Sequence, residues 1–252
     1  MSALARVQKL AWVEAKLYAR DPLTLVFTFA FPLILLFVMA GVFGNSTADR
    51  TEVVWRNIGA IDYLVPAYVA IVAAAVGVVS MPAHLTTYRE LGIFRRFRAS
   101  GVSVWTLLAA ELLVTLALTG AGTLLVLLSM GLVYSNRQPG FPLGVLAVFL
   151  LVTLLFASLG LLLGAVLPNP RAAQGVGVVL FFVMLLLGGG GPPREVMSGP
   201  MRAIADGLPL THAVNILQDP WLGFGWQWTS FLVVLGFSLA ATVLAAKLFR
   251  WE

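Results

Sequence analysis

Residues 142–167 read PLGVLAVFLLVTLLFASLGLLLGAVL, an apolar stretch without a charged side chain. It exceeds the roughly 20 residues that a helix needs to cross a hydrocarbon core of about 30 Å. Its hydrophobic residues run continuously instead of alternating with polar ones, which argues against a strand of a membrane barrel. Backbone polar groups inside a bilayer must bond within their own segment, so the stretch predicts a transmembrane helix.

Five further charge-free stretches share this character. The sequence therefore predicts an all-α integral membrane protein, in which residues 1–252 form a single transmembrane domain. Hydrophobic residues make up 60% of the chain and charged residues only 11%, against about 25% charged in a soluble domain. This composition excludes a soluble globular protein and a disordered chain. We place the six transmembrane helices near residues 23–43, 63–83, 104–133, 142–167, 173–190 and 229–248.

The sequence carries little that could perform chemistry. It has no cysteine, which excludes disulfides, thiolate metal sites and iron–sulfur clusters. Its two histidines, His84 and His212, argue against a multi-histidine metal site. None of its three lysines follows a glycine, so no phosphate-binding loop of the G-x-x-x-x-G-K-[ST] type is present. We therefore predict that this chain is not an enzyme and has no catalytic residue, no metal and no cofactor of its own.

Lysines and arginines divide unequally between the two sides of the predicted bundle, and such residues favour the cytoplasmic side. Five lie on one side: Arg50, Arg56, Arg137, Arg194 and Arg202. Eleven lie on the side that would hold both termini: Arg6, Lys9, Lys16, Arg20, Arg89, Arg95, Arg96, Arg98, Arg171, Lys247 and Arg250. Both termini are therefore predicted to be cytoplasmic. The net charge of +5 follows from this bias and from the anionic inner leaflet, and it does not indicate binding to nucleic acid.

Residues 2–20 are predicted to form an amphipathic helix on the cytoplasmic membrane surface. At 100° per residue, Arg6, Lys9, Lys16 and Arg20 fall within an arc of about 80°. Apolar residues occupy the other side, as in an interfacial helix with a cationic face. Glu14 lies on the apolar side and does not fit the pattern. Asp21-Pro22 then predicts a helix cap and the start of the first span.

The loop between spans two and three, residues 84–101, reads HLTTYRELGIFRRFRASG. Apolar residues recur every three positions: Leu85, Tyr88, Leu91, Phe94 and Phe97. Four arginines occupy the remaining surface. A short cytoplasmic helix with exposed aromatic residues and positive charge predicts a docking surface for another protein. The alternative is a solvated basic loop against lipid headgroups.

Glu111 is a charged residue that falls within a predicted span. It lies about seven residues into span three, roughly 10 Å from the cytoplasmic end. Acids inside the membrane are candidates for function. The interpretation we favour is that Glu111 extends to the inner interface or pairs with an arginine of the preceding loop.

The segment 192–228, between spans five and six, is predicted to lie outside. It is too short for a domain, and it is interrupted at Gly207 and Pro209. We expect two short helices, at 197–205 and 210–218, that cap the bundle or dip into the outer leaflet.

The order of these features resembles the permease subunits of type-2 ABC transporters, the exporter family that includes the daunorubicin-resistance permeases. The strongest similarity lies in YRELGIFRR at 88–96, followed by ASGVS at 99–103, which resembles the family motif leading into span three. Gly101 stands where many members have proline. LPLT at 208–211 resembles the family's proline-containing motif before span six.

The resemblance implies a bacterial plasma-membrane exporter made of two permeases and two ATPase subunits, with ATP and Mg²⁺ bound in the ATPases. Residues 84–101 would contain the coupling helix, residues 2–20 would be the connecting helix, and spans one and five would meet the second permease. The residues implied in coupling to the ATPase are Tyr88, Arg89, Glu90, Gly92, Phe94, Arg95, Arg96, Phe97 and Arg98.

The nearly apolar spans favour an amphipathic or hydrophobic substrate, a drug or a lipid, over a sugar or a small ion. The alternative function is an ion- or proton-coupled carrier or channel that acts without an ATPase. That alternative requires Glu111 to titrate during transport.

Overall fold

A computed structural model describes residues 3–44, 58–101, 103–134, 139–192 and 197–248. Within these ranges all the regular structure is helical. The helices are α1 (Ala3–Tyr18), α2 (Pro22–Phe43), α3 (Ala60–Glu90), α4 (Ile93–Ala99), α5 (Val104–Tyr134), α6 (Pro142–Val166), α7 (Pro170–Leu187), α8 (Gly199–Asp206), α9 (Pro209–Leu222) and α10 (Trp228–Leu248). In this part of the chain six helices are long and apolar enough to cross a membrane, which confirms the predicted number of spans. The six are α2, α3, α5, α6, α7 and α10.

The first two spans each contain a wider π-helical turn directly before a proline. Val26–Ala30 precedes Pro32, and Ala75–Ser80 precedes Pro82. Proline lacks an N–H donor and its ring crowds the carbonyl four residues earlier, so a wider turn accommodates it. Asp21 caps α2 as predicted: its carboxylate accepts from the Leu23 backbone N–H at 3.1 Å.

Helix α3 is the centre of the bundle, since every residue from 63 to 83 is buried. Neighbouring helices approach it through glycines. A Cβ on Gly77 would overlap the backbone of Phe156 in α6, and a Cβ on Gly160 would overlap the carbonyl oxygen of Gly77. Gly177 of α7 lies against the Val78 carbonyl in the same way. These contacts are the small-residue packing that brings membrane helices together.

The segment before span six forms part of the bundle core. Helix α9 is buried along most of its length and packs against α3, α6 and α10. The Gln218 side-chain amide donates to the Tyr63 carbonyl at 2.9 Å, and the backbone N–H of Gly140 donates to the Trp221 carbonyl at 2.8 Å. Through α9 this segment therefore packs onto the bundle. The side of the membrane on which it lies stays a prediction.

Some residues used in the topology prediction lie outside the described part of the chain. They are Arg50, Arg56, Arg137, Arg194 and Arg250.

Candidate functional site

Gly92 divides the predicted coupling segment, residues 84–101, into two helices. The part from His84 to Glu90 continues α3 without interruption. Gly92 then adopts a left-handed conformation with φ +66°, which glycine accepts without steric strain. Its carbonyl already accepts the backbone N–H of Arg96, so α4 begins directly after the break. The second span is thus longer than the predicted 63–83, and it leads into α4.

Two aromatic residues of this segment are buried inside the chain. Tyr88 is 5% exposed and Phe94 is 3% exposed, and their rings meet edge to face with centroids 6.0 Å apart. They share a cluster with Met81, Leu85, Leu107 and Ala157, while Phe97 packs partly buried at its border. A helix of seven residues is unstable alone and must bury one face on its neighbours. The sequence suggested that Phe94 was one of the exposed aromatic residues of the docking surface. The structure instead buries Phe94, which anchors α4 to the spans.

Arg89 fastens the end of α3 to the end of α6. Its guanidinium donates to the carbonyls of Gly164 at 3.2 Å and Ala165 at 3.3 Å, and also to that of Leu167. Gly164 and Ala165 lie in the last turn of α6 and Leu167 is the residue that follows it. Backbone acceptors at a helix end have no partner in the helix, and a cation is favoured there. Arg89 therefore joins spans two and four.

The outward surface of this segment combines one large apolar residue with positive charge. Leu91 is 59% exposed, and Glu90 beside it is also exposed. We call Leu91, Arg95, Arg96 and Arg98, all exposed, the docking face.

Helix α1 packs against α5 at the same end of the bundle. Arg6, Lys9 and Lys16 of α1 are exposed, as is Arg20 in the turn that follows it. The Lys16 ammonium lies 4.9 Å from the centre of the Trp12 ring. Trp12 is itself 64% exposed. The cationic side predicted for this helix is therefore accessible, with an aromatic residue beside it.

The opposite side of α1 enters a buried polar cluster of five side chains: Glu14, Tyr18, His84, Tyr88 and Glu111. We call it the buried carboxylate cluster. His84 Nε2 lies 3.0 Å from Glu14 Oε2 and 3.0 Å from the Tyr88 hydroxyl. The Tyr88 hydroxyl donates to the same Glu14 oxygen, and the Tyr18 hydroxyl donates to Glu111 Oε2 at 3.1 Å. The Tyr18 and His84 rings stack with centroids 4.3 Å apart.

The cluster corrects two interpretations from the sequence. Glu111 is 0% exposed, so it does not extend to the interface, and its hydrogen-bond donor is Tyr18, not an arginine of the preceding loop. Glu14 is also 0% exposed and lies on the buried side of α1 because its partners are there. Burial, followed by the nearby Glu111 carboxylate, raises the pKa of the Tyr18 hydroxyl well above its ordinary value, so the hydroxyl stays protonated and donates.

Comparison with known proteins places the chain in a family. The model of the ABC-2 type transporter family matches residues 5–222, which include the docking face and the buried carboxylate cluster. The chain belongs to the ABC-2 type transporter family. It is also similar to the daunorubicin resistance ABC transporter permease protein DrrB1 of Streptomyces coeruleorubidus, with 26% identity over 226 residues that cover 88% of this chain and 77% of the relative.

Family membership confirms the main conclusion from the sequence. The chain is a multi-pass membrane permease of the ABC exporter type, a transport subunit whose family implies an ABC ATPase as partner. The sequence singled out Glu111 as an acid within a span. It gave no signal for His84 and Tyr88 as partners of α1, since spacing along one helix carries no information about contacts to another.

Proposed function

We propose that this chain is the transmembrane subunit of an exporter that moves an amphipathic or hydrophobic substrate, a drug or a lipid, out of the cell. A separate ATPase subunit supplies the energy by hydrolysing ATP with Mg²⁺ bound in that subunit. Two permease chains and two ATPase subunits make up the transporter, which lies in a bacterial plasma membrane. The observation that carries this proposal is the docking face, which is exposed while Tyr88, Arg89 and Phe94 attach the same segment to the spans.

The chemistry of the docking face fits a protein partner. Leu91 is 59% exposed beside three exposed arginines. Interfaces commonly place an apolar anchor within a polar rim, and arginine is enriched among interface residues. The partner surface would combine an apolar pocket with acidic groups. Charge complementarity of this kind sets the orientation and the rate of association.

The attachments of α4 provide a route for mechanical coupling. Phe94 and Tyr88 hold α4 to spans two and three, and Arg89 holds the end of span two to span four. A packed core has discrete arrangements and transmits displacement because it deforms little. Movement of the ATPase against the docking face would therefore reach α3, and α3 contacts α2, α5, α6 and α7.

The apolar character of the spans supports a hydrophobic cargo. Phe27 and Phe31 of α2 form edge-to-face contacts with Phe181 and Phe182 of α7, with ring centroids 5.5–6.2 Å apart. Phe182 remains 37% exposed and Val179 63% exposed. In our proposal this surface of spans one and five meets the second permease, and the substrate passes between the two copies.

The docking face can be tested by introducing negative charge, with a matched control elsewhere on the chain. Leu91→Asp and Arg95→Glu should weaken the complex with the ATPase by about 2 kcal/mol or more, roughly 30-fold in affinity, as expected for a central interface residue. The measurements are co-purification of the ATPase subunit with the tagged permease and ATPase activity stimulated by substrate. Lys247→Glu, exposed near the end of α10 and predicted to lie on the same side, should keep both.

Membrane insertion is the necessary check, because a loss of coupling is meaningful only if the variant reaches the membrane. Both docking-face variants change exposed residues and should accumulate at the level of the wild type. Normal substrate-stimulated ATPase activity in Leu91→Asp would contradict the proposal. Full transport by the chain reconstituted without any ATPase would do so as well, and would favour a carrier that acts alone.

A further inference from the structure

The buried carboxylate cluster places two buried carboxyl groups beside one histidine. Glu14 and Glu111 are both 0% exposed, and His84 is their basic neighbour. A protonated imidazole supplies at most one positive charge for two carboxylates. Placing an uncompensated carboxylate in a medium of low dielectric constant costs several kcal/mol. A further positive group would therefore stabilise this cluster.

Each of the two carboxylates also keeps an oxygen without a partner. Within the part of the chain that the structure describes, Glu14 Oε1 and Glu111 Oε1 are buried and accept no hydrogen bond. Buried polar atoms in proteins are nearly always paired, and an exception commonly marks the place of a water or an ion. The unpaired oxygens belong to the same two buried carboxyl groups.

We propose that Glu14, His84 and Glu111 form a binding site for one divalent transition-metal cation of the zinc class. Their ligand atoms lie within 4.8 Å of one another. Ligands of one zinc ion at about 2.0–2.2 Å lie roughly 3.3–3.6 Å apart in tetrahedral geometry. The three side chains would therefore move by about an ångström to coordinate the ion. One imidazole and two carboxylates suit zinc and its neighbours better than calcium or magnesium, which take oxygen ligands.

Residues around the three ligands support this role. The Tyr18 hydroxyl donates to Glu111 at 3.1 Å, and the Tyr88 hydroxyl donates to Glu14. Such outer partners fix the orientation of a metal-binding carboxylate. The His84 side chain is 14% exposed, which gives an ion a path into the site. The sequence predicted no metal because cysteine is absent and histidines are few; the fold assembles a different donor set.

The ion would connect three parts of the chain. Glu14 lies on α1, His84 on α3 and Glu111 on α5. Metal binding to the folded state alone raises stability in proportion to the logarithm of metal concentration. We expect the ion to strengthen the attachment of α1 to spans two and three. This inference stands on the cluster alone and does not depend on the ATPase partner.

The test uses the purified full-length protein in detergent, without a polyhistidine tag. The protein is stripped with a chelator, titrated with Co²⁺ and then with competing Zn²⁺, and dialysed for elemental analysis. We expect about one ion per chain, a Co²⁺ d–d absorption band that Zn²⁺ removes, and a Tm that rises with Zn²⁺. The ligand variants are Glu14→Gln, Glu111→Gln and His84→Gln. The control is His212→Gln, because His212 hydrogen-bonds to Ser230 and to the Asp206 carbonyl, far from the cluster.

Each ligand variant should lower metal affinity by more than the roughly tenfold to hundredfold that loss of an outer partner costs. Tyr18→Phe should fall within that smaller range, and His212→Gln should equal the wild type. If a ligand variant does not fold, the titration of the stripped wild type with Co²⁺ and Zn²⁺ decides whether the metal site exists. A stripped wild type that takes up neither ion would overturn the proposal and leave a proton shared between the carboxylates as the explanation. Equal uptake by the wild type and all three ligand variants would overturn it as well.

Discussion

Helices α3 and α10 have similar mean hydropathy, but α3 lies buried at the centre of the bundle and α10 lies at its surface. All residues of α3 from 63 to 83 are buried, whereas Leu232, Leu239 and Val243 of α10 are at least half exposed. The central helix is rich in alanine and valine, and its neighbours approach its backbone at its single glycine, Gly77. Small residues matter because lipid chains are as apolar as leucine, so close packing has to favour helix association. Hydropathy identifies a span, and the size of its residues determines how closely neighbouring helices can pack against it.

The largest difference between the two helices should come from adding a methyl group to a glycine. In Gly77→Ala the new Cβ meets the backbone of Phe156, which cannot rotate away. We expect a loss of about 3 kcal/mol or more, at the upper end of overpacking costs. Gly236→Ala in α10 meets nothing within 4 Å and should be neutral or stabilise by up to about 1 kcal/mol. Denaturation in detergent measures the change in stability of both variants. Equal changes in Gly77→Ala and Gly236→Ala would contradict the distinction between the two helices.

A smaller contrast is expected for truncation of leucines. Leu64 in α3 is 1% exposed and Leu239 in α10 is 58% exposed. Leu64→Ala leaves a cavity and should cost about 2–4 kcal/mol. Leu239→Ala exchanges contact with lipid and should stay within about 0.5 kcal/mol. Thermal unfolding of the two variants under the same detergent conditions is the measurement. A large loss in Leu239→Ala would show that α10 is covered by protein.

The smallest contrast concerns polar side chains. Gln218 of α9 donates to the Tyr63 carbonyl of α3 at 2.9 Å, and this bond joins two elements. Gln218→Leu should cost about 1 kcal/mol, within the range measured for hydrogen bonds between membrane helices. Ser238 of α10 bonds at 2.8 Å to the Val234 carbonyl of its own helix, so Ser238→Ala should have almost no effect. The same unfolding experiment would reject the distinction if Ser238→Ala cost as much as Gln218→Leu.

The candidate site was predictable in outline, and its internal arrangement was not. The pattern of residues 84–101 marked the segment, but it did not predict that the left-handed Gly92 divides the segment into two helices. The apolar residues of this segment recur every three positions, and that spacing did not predict that Phe94 is buried in the chain's own core while Leu91 is exposed. That distinction depends on Leu107 and Ala157 of other spans, and a pattern along one helix contains no information on them.

The amino-acid sequence by itself determined the six spans, because the transfer of a segment into hydrocarbon depends on the composition of that segment alone. Tertiary structure decided which span lies at the centre and which acids meet. Glu14 and His84 are 70 residues apart in the chain, and Tyr18 and Glu111 are 93 apart. Such pairs form only when separate helices pack. Glu14 therefore did not fit the pattern of its own helix, although in the folded chain it lies beside His84 and Glu111.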